Sequence, residues 1–213
     1  MMISAFDLDY TLLNHNSSYL FGRFLCNQKH FSVKSSLFIT WCQISFLLGI
    51  TSLEKLHQNA FYHLFYGIQD DLIEKYVQEF LHLYLEKLLY QPAIQKLKQA
   101  QDAGHITVIL SSSPEFLVAP IAKHLGVSIW KSTEYCVDMN GCYSNIKTIM
   151  LGENKARILE NLQHHYGILR KDVIAYSDSH HDLAFLSSAG SAFGVNPNRK
   201  LRSICRQNNW PMI

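Results

Sequence analysis

Ile3-Ser4-Ala5-Phe6-Asp7-Leu8-Asp9-Tyr10-Thr11-Leu12 is the stretch from which the rest of the chain is read. Ile3 to Phe6 is a short apolar run followed directly by two aspartates, the pattern of a buried parallel strand with polar groups at its C-terminal end. The same form recurs further along. Ile106-Thr107-Val108-Ile109-Leu110 runs into Ser111-Ser112-Ser113-Pro114, and Val173 to Tyr176 runs into Ser177-Asp178. A strand from Val127 and a last one at Ala192 to Val195 have the same length and apolar character. Helical patterns alternate with them: Ala93 to Ala103 closed by Gly104, a stretch ending at Leu125-Gly126, one from Asn154 and one after His180. This alternation predicts an α/β fold, a Rossmann-like parallel sheet with helices on both faces. Glu134 to Ser144, around Asn140-Gly141, reads as a β-hairpin.

An all-helical stretch interrupts the sheet between its first two strands. Leu72, Ile73, Tyr76, Val77, Phe80, Leu81, Tyr84, Leu85 and Leu88 recur at three- and four-residue spacing and predict one long helix. Leu53, Leu56, Ala60, Phe61 and Leu64 predict another. The expected organisation is a core of residues 1–13 and 91–213 with a helical cap of residues 14–90. Leu37 to Ile50 is the most apolar part of that cap, with ten apolar residues in fourteen. A membrane span needs about twenty. The segment reads as a buried cap helix, with a membrane-contacting surface as the alternative.

Composition narrows the class. The chain has 213 residues, 48% of them apolar, enough for a substantial core. A net charge of +2 gives no electrostatic case for nucleic-acid binding. Five cysteines without a C-x-x-C pair argue against a disulfide framework or zinc site and for a reducing, cytoplasmic setting, with the inner face of a membrane as the peripheral variant. The N-terminus lacks the basic and apolar regions of a cleaved signal peptide.

Strand C-termini of a parallel sheet share one edge. Asp7, Asp9, Ser111, Asp178 and Asp182 are expected there, with Lys155 reaching in from a helix start. Carboxylates gathered in this way repel unless a cation neutralises them, and Mg2+ takes oxygen ligands, keeping room for water and phosphate. Lys155 and Ser111 suit phosphate oxygens. The set predicts phosphoryl chemistry with an aspartate nucleophile.

Phe6-Asp7-Leu8-Asp9-Tyr10-Thr11-Leu12 resembles the D-x-D-x-T signature of the haloacid dehalogenase superfamily of phosphohydrolases. Ser111, Lys155 and Ser177-Asp178-Ser179-His180-His181-Asp182 are similar to its second, third and fourth motifs, in the family's order. The insert resembles the C1-type cap of subfamily I. Ser111-Ser112-Ser113-Pro114-Glu115 and Val195-Asn196-Pro197 look like the IB branch, which includes phosphoserine phosphatase-like enzymes and the C-type phosphatidylglycerophosphatase.

The resemblance implies that Asp7 attacks phosphorus and that Asp9 serves as acid, then base. Asp7, Asp9 (through its carbonyl) and Asp178 bind Mg2+. Ser111, Ser112 and Lys155 bind phosphate, and Asp182 and Thr11 support those groups from behind. Tyr10 and Asn16 are candidate substrate contacts. Asn16 stands where phosphoserine phosphatases carry a glutamate facing the substrate amine. The implied function is Mg2+-dependent hydrolysis of a phosphomonoester, either a small metabolite or a lipid phosphate. The alternative is a phospho-accepting receiver module without turnover. Plainer roles stand beside these: helix capping by Asp9, Ser111, Asp178 or Asp182, loop exposure of His180 and His181, and solvated faces at His164-His165 and at Arg199, Lys200, Arg202 and Arg206.

Overall fold

The structure, a computed structural model, describes residues 1–28, 37–38, 40–42, 44–45 and 48–213. Six strands form one sheet: β1 (Ile3–Phe6), β2 (Ile106–Pro114), β3 (Ile129–Val137), β4 (Tyr143–Thr148), β5 (Val173–Ser177) and β6 (Ser191–Gly194). Their spatial order is β4-β3-β2-β1-β5-β6. All neighbours are parallel except β3 and β4. The chain moves outward from β1 through β2 and β3, then returns to the other side of β1 at β5. That reversal is the topological switch point where parallel α/β sheets place their ligands.

Eight described helices accompany the sheet. α1 (Ser17–Asn27), α2 (Leu53–Leu64) and α3 (Asp70–Leu88) lie in the insert. α4 (Gln91–Asp102), α5 (Glu115–His124), α6 (Gly152–Tyr166), α7 (Leu183–Ser187) and α8 (Arg199–Gln207) lie between or after strands. Strand alternation divides the core. Ile3 and Ala5 of β1 pack with Leu159, Phe185 and Leu201 on the face covered by α6, α7 and α8. Phe6 faces the other side, in one apolar cluster with α4, α5 and the helices of the insert. There Phe6 stacks on Tyr176 at 4.3 Å, and Tyr176 on Phe193 at 4.9 Å.

Two differences from the sequence reading concern β3 and the apolar stretch of the insert. The strand from Val127 and the first arm of the hairpin are a single strand, β3, whose first half pairs with β2 and whose second half pairs with β4. In the stretch Leu37 to Ile50, residues 39, 43, 46 and 47 lie outside the described residues. Of the others, Leu37, Trp41, Ile44, Leu48 and Ile50 are exposed rather than buried. The inward side is narrow: Ser45 is buried, Phe38 and Cys42 are half-buried, and Phe38 stacks on His63 of α2 at 3.9 Å. Among the described residues no helix is long and apolar enough to cross a membrane.

The insert enters and leaves beside β1. Leu13 pairs with Leu89, Asn14 N–H donates to Leu88 at 2.8 Å, and Tyr90 N–H donates to Leu12 at 2.8 Å. This crossing starts the insert at the C-terminal end of β1, and its described helices share the apolar cluster on the Phe6 side of the sheet.

Candidate active site

Phe6 is in register with Ile109 of β2 and Tyr176 of β5. Asp7, Ser111 and Asp178 therefore follow the paired residues by one or two positions on three adjacent strands. Lys155 Nζ donates to Asp7 Oδ1 and to Asp182 Oδ2, each at 2.8 Å, and Ser177 Oγ donates to Asp182 Oδ2 at 2.8 Å. Lys155, Asp7 and Asp182 are all buried. Gly152 explains how Lys155 arrives there. It is the first residue of α6, and a Cβ on it would meet the His181 carbonyl oxygen at 2.2 Å. Only glycine lets α6 approach the 178–182 loop closely enough for this lysine to bridge two carboxylates.

Asp9 lies in the tight loop after β1, which closes with Leu13 N–H donating to the Leu8 carbonyl at 2.9 Å and turns at Tyr10, whose φ is 58°. Both carboxylate oxygens of Asp9 are held. Oδ1 accepts from Ser17 N–H, at the start of α1, at 2.7 Å. Oδ2 accepts from Ser113 Oγ at 2.5 Å, and Ser18 Oγ lies 2.6 Å from Ser113 Oγ. Ser113 N–H donates to Ser111 Oγ at 3.1 Å. The Ser112 carbonyl accepts from Thr133 Oγ1 at 2.7 Å, fixing this serine run against β3.

Four buried or largely buried carboxylates face one ammonium, and the electrostatics reflect it. Burial pushes Asp7 up to about 7, opposed by Lys155 and reinforced by Asp182. Burial likewise raises Asp178 to about 8, with the charges of Asp7 and Asp182 adding to the effect. Asp178 follows two residues after Tyr176, whose carbonyl accepts from Asp7 N–H at 2.9 Å, which brings it to the same strand end. Asp9 is raised by burial against the hydrogen bonds from Ser113 and Ser17. Burial disfavours the Lys155 ammonium, but Asp182 and Asp7 outweigh it and hold the lysine charged. The donors are oxygens throughout, the chemistry of a hard cation. No group of three His, Cys, Asp or Glu side chains with metal-ligand geometry occurs among the described residues. A cation here would draw on two carboxylates, a main-chain carbonyl, water and phosphate.

The structure brings Asp7, Asp9, Ser111, Lys155, Asp178 and Asp182 to one edge. Thr11 is buried in the same loop, its hydroxyl without a partner among the described residues. Ser112 is half-buried. Tyr10 is 38% exposed at the loop surface. Asn16 caps α1, its Oδ1 accepting from Tyr19 N–H at 2.7 Å. Asp182 stands at the start of α7 without capping it, because its carboxylate is turned to Lys155 and Ser177. Asp9 does meet a helix N-terminus, that of α1. His180 contacts Asn198 Nδ2 at 3.2 Å, and His181, His164 and His165 are exposed. Arg199, Lys200, Arg202 and Arg206 form the exposed side of α8. Ser113, Ser17, Ser18 and Gly152 were not singled out by sequence reasoning. Ser113 stands inside a quoted motif, but nothing in three consecutive serines tells which one faces Asp9.

The model of the haloacid dehalogenase-like hydrolases matches residues 5–187. The chain belongs to that family. Its similarity to known proteins runs nearly end to end. It is 28% identical over 211 residues to a phosphoserine phosphatase of Mycobacterium tuberculosis, covering 96% of this chain and 68% of that protein. It is 26% identical over 226 residues to a histidinol-phosphatase of Neisseria meningitidis, covering 99% and 97%. Among solved structures, a Bordetella pertussis protein of unknown function superposes with a TM-score of 0.89 at 22% identity, covering 99% and 97%. A substrate-bound phosphoserine phosphatase superposes with a TM-score of 0.72 at 16% identity, covering 95% and 89%, a likeness of fold. The chain is thus a HAD-like enzyme of the phosphatase class.

Proposed function

We propose that this phosphatase hydrolyses a small phosphomonoester through an aspartyl-phosphate on Asp7, with Mg2+ as cofactor and residues 14–90 as the cap. The observation that carries this reading is the pair of buried carboxylates two residues apart, one gripped by Lys155 and the other by Ser113 and the α1 N-terminus. Two inequivalent carboxylates divide nucleophilic and proton-transfer work. The M. tuberculosis and Neisseria relatives are named for small phosphorylated substrates, which supports the substrate class.

Asp7 attacks phosphorus, and the P–O bond to the leaving group breaks as Asp9 gives its proton to the departing oxygen. A water then attacks the phosphoenzyme, Asp9 takes that water's proton, and phosphate leaves with Asp7 restored. Lys155 and Ser111 meet the charge on the phosphoryl oxygens, where preorganised donors act most strongly. Asp7, Asp178 and the Asp9 carbonyl would hold Mg2+, and the raised carboxylates and the unpartnered Thr11 hydroxyl fit such an ion with its waters. When bound, Mg2+ neutralises these carboxylates and the phosphate.

The test is hydrolysis of p-nitrophenyl phosphate with and without EDTA, followed by a screen of small phosphomonoesters with lipid phosphates in detergent micelles as the contrasting arm. Activity that needs Mg2+, vanishes in Asp7→Asn and falls by about 10²–10⁴ in Asp9→Asn on the screened phosphomonoesters with poor leaving groups supports the proposal. A stable, stoichiometric phosphoprotein in the wild type would instead reveal a receiver.

A further inference from the structure

Asp9 is the residue on which both half-reactions turn, and its carboxylate does not choose its own orientation. Its Oδ2 is bound by Ser113 Oγ at 2.5 Å from the end of β2, a contact spanning 104 residues of sequence. Ser113 is buried, and its hydroxyl is in turn reached by Ser18 Oγ at 2.6 Å and Ser17 Oγ at 3.4 Å, both from the first turn of α1. The donor count sets the direction of this chain. Ser113 has one O–H, which it gives to Asp9, so its oxygen accepts from Ser18. Ser113 is also fixed from below, because its N–H donates to Ser111 Oγ at 3.1 Å. The same three-serine run therefore presents Ser111 toward phosphate and Ser113 toward the acid.

We propose that Ser113, backed by Ser18 of the inserted segment, is a positioning residue that holds the Asp9 carboxyl at the oxygen of the leaving group, a role that rests on the hydrolytic reading above. The hydroxyl chain gains and loses no proton. The proton travels from Asp9 to the departing oxygen, then from water back to Asp9, while Ser113 and the Ser17 N–H keep both carboxylate oxygens in place. Without Ser113 the side chain retains only the Ser17 anchor and can rotate away from the scissile bond. Ser18 ties this arrangement to α1, so the first helix of the insert and the acid move as one unit.

A positioned acid matters most for a poor leaving group and little for one that departs readily as an anion. The experiment compares p-nitrophenyl, phenyl and p-methoxyphenyl phosphates, which are alike in shape and differ in leaving-group basicity. It measures kcat/KM for the wild type, Ser113→Ala, Ser113→Thr and Ser18→Ala. Ser113→Ala is expected to lose about 10²-fold on phenyl and p-methoxyphenyl phosphate but under about 3-fold on p-nitrophenyl phosphate, steepening the dependence on leaving group. Ser113→Thr, which keeps the hydroxyl, restores the wild-type dependence, and Ser18→Ala shows the same steepening to a smaller degree. An equal loss on all three esters, or no loss on any, overturns the positioning role while leaving the phosphatase reading intact. A wild type inactive on all three removes that reading, and this inference with it.

Discussion

At the scale of single residues, Lys155 makes the sharpest case. Its ammonium, 2% exposed, bridges Asp7 and Asp182. Breaking a buried ion pair by removing one partner costs about 3–5 kcal/mol, and losing one preorganised donor to a transition-state oxyanion costs about 10²–10³ in rate. Lys155→Ala is therefore expected to lower both the urea midpoint and kcat/KM, whereas a surface role would move neither. Cation binding is the second test at this scale. Asp7 and Asp178 are raised to about 7 and about 8, so their protons favour the apo fold below that range and must leave as pH rises through it. Apo stability should fall as pH rises from about 4 to about 8, and added Mg2+ should stabilise the fold most at the alkaline end, by about 2.7 kcal/mol at a hundred times its dissociation constant. Asp178→Asn should erase that Mg2+-dependent shift in differential scanning fluorimetry. The convergence of Asp7, Asp9, Ser111, Lys155, Asp178 and Asp182 was legible because each follows an apolar strand run or stands in the first turn of a helix, where topology alone brings them together. Ser113 was not. β2 continues through the serine run with a register shift between Leu110 and Pro114, which breaks the alternation from which side-chain direction would be read.

At the scale of elements, α2 and α6 carry opposite lessons. α6 was expected from its pattern, but its function depends on Gly152, whose role comes from a neighbour distant in sequence. Adding one methyl there forces helix and loop apart. Gly152→Ala should cost about 1–3 kcal/mol by overpacking and, by withdrawing Lys155, weaken inhibition by inorganic phosphate more than a surface Ala substitution of equal stability cost. α2 buries His57, whose Nε2 has no partner among the described residues, and burial alone holds its pKa at about 4. The unfolded chain protonates near 6.5, so between the two values the unfolded state binds a proton that the fold refuses. Stability from this residue is complete above about 6.5 and lost as pH falls toward 4, roughly 3 kcal/mol in all. His57→Leu should flatten that acid limb in urea denaturation at pH 7 and pH 4.5, since the difference between the two proteins isolates this one group. The strand β3 shows what local signals leave out. The hairpin turn around Asn140-Gly141 was readable, but nothing local says that one strand serves two partners.

At the scale of the whole molecule, the alternation of strands and helices and the interruption after β1 were legible because they follow from pattern and order. How closely the insert is joined to the sheet was not, because it depends on contacts between residues far apart in sequence. Phe61 of α2 and Phe65 just after it meet Tyr135 of β3 at 4.6 and 6.0 Å, Phe65 meets Phe116 of α5 at 5.2 Å, and Phe21 of α1 meets Phe116 at 5.8 Å. Main-chain bonds stitch the same seam. Gly67 N–H donates to Tyr143 at 2.8 Å, Tyr143 N–H to Ile68 at 2.9 Å, and Asp70 N–H to Gly141 at 2.9 Å. Aromatic pairs at these separations add about 0.5–1.5 kcal/mol each beyond the area they bury. A helical segment that shares its apolar core with the sheet cannot melt ahead of it, because exposing α2 strips the cover from β3 and α5. Thermal and urea unfolding should therefore be one transition, coincident by far-UV circular dichroism and by tryptophan fluorescence from Trp41 in the insert, Trp130 in β3 and Trp210 after α8. Phe61→Ala, at a fully buried position, should lower stability by about 3–5 kcal/mol and shift that single transition without dividing it. Two separated transitions in the wild type would show instead that the insert is an independent lid, and the aromatic seam would then be a contact rather than a common core.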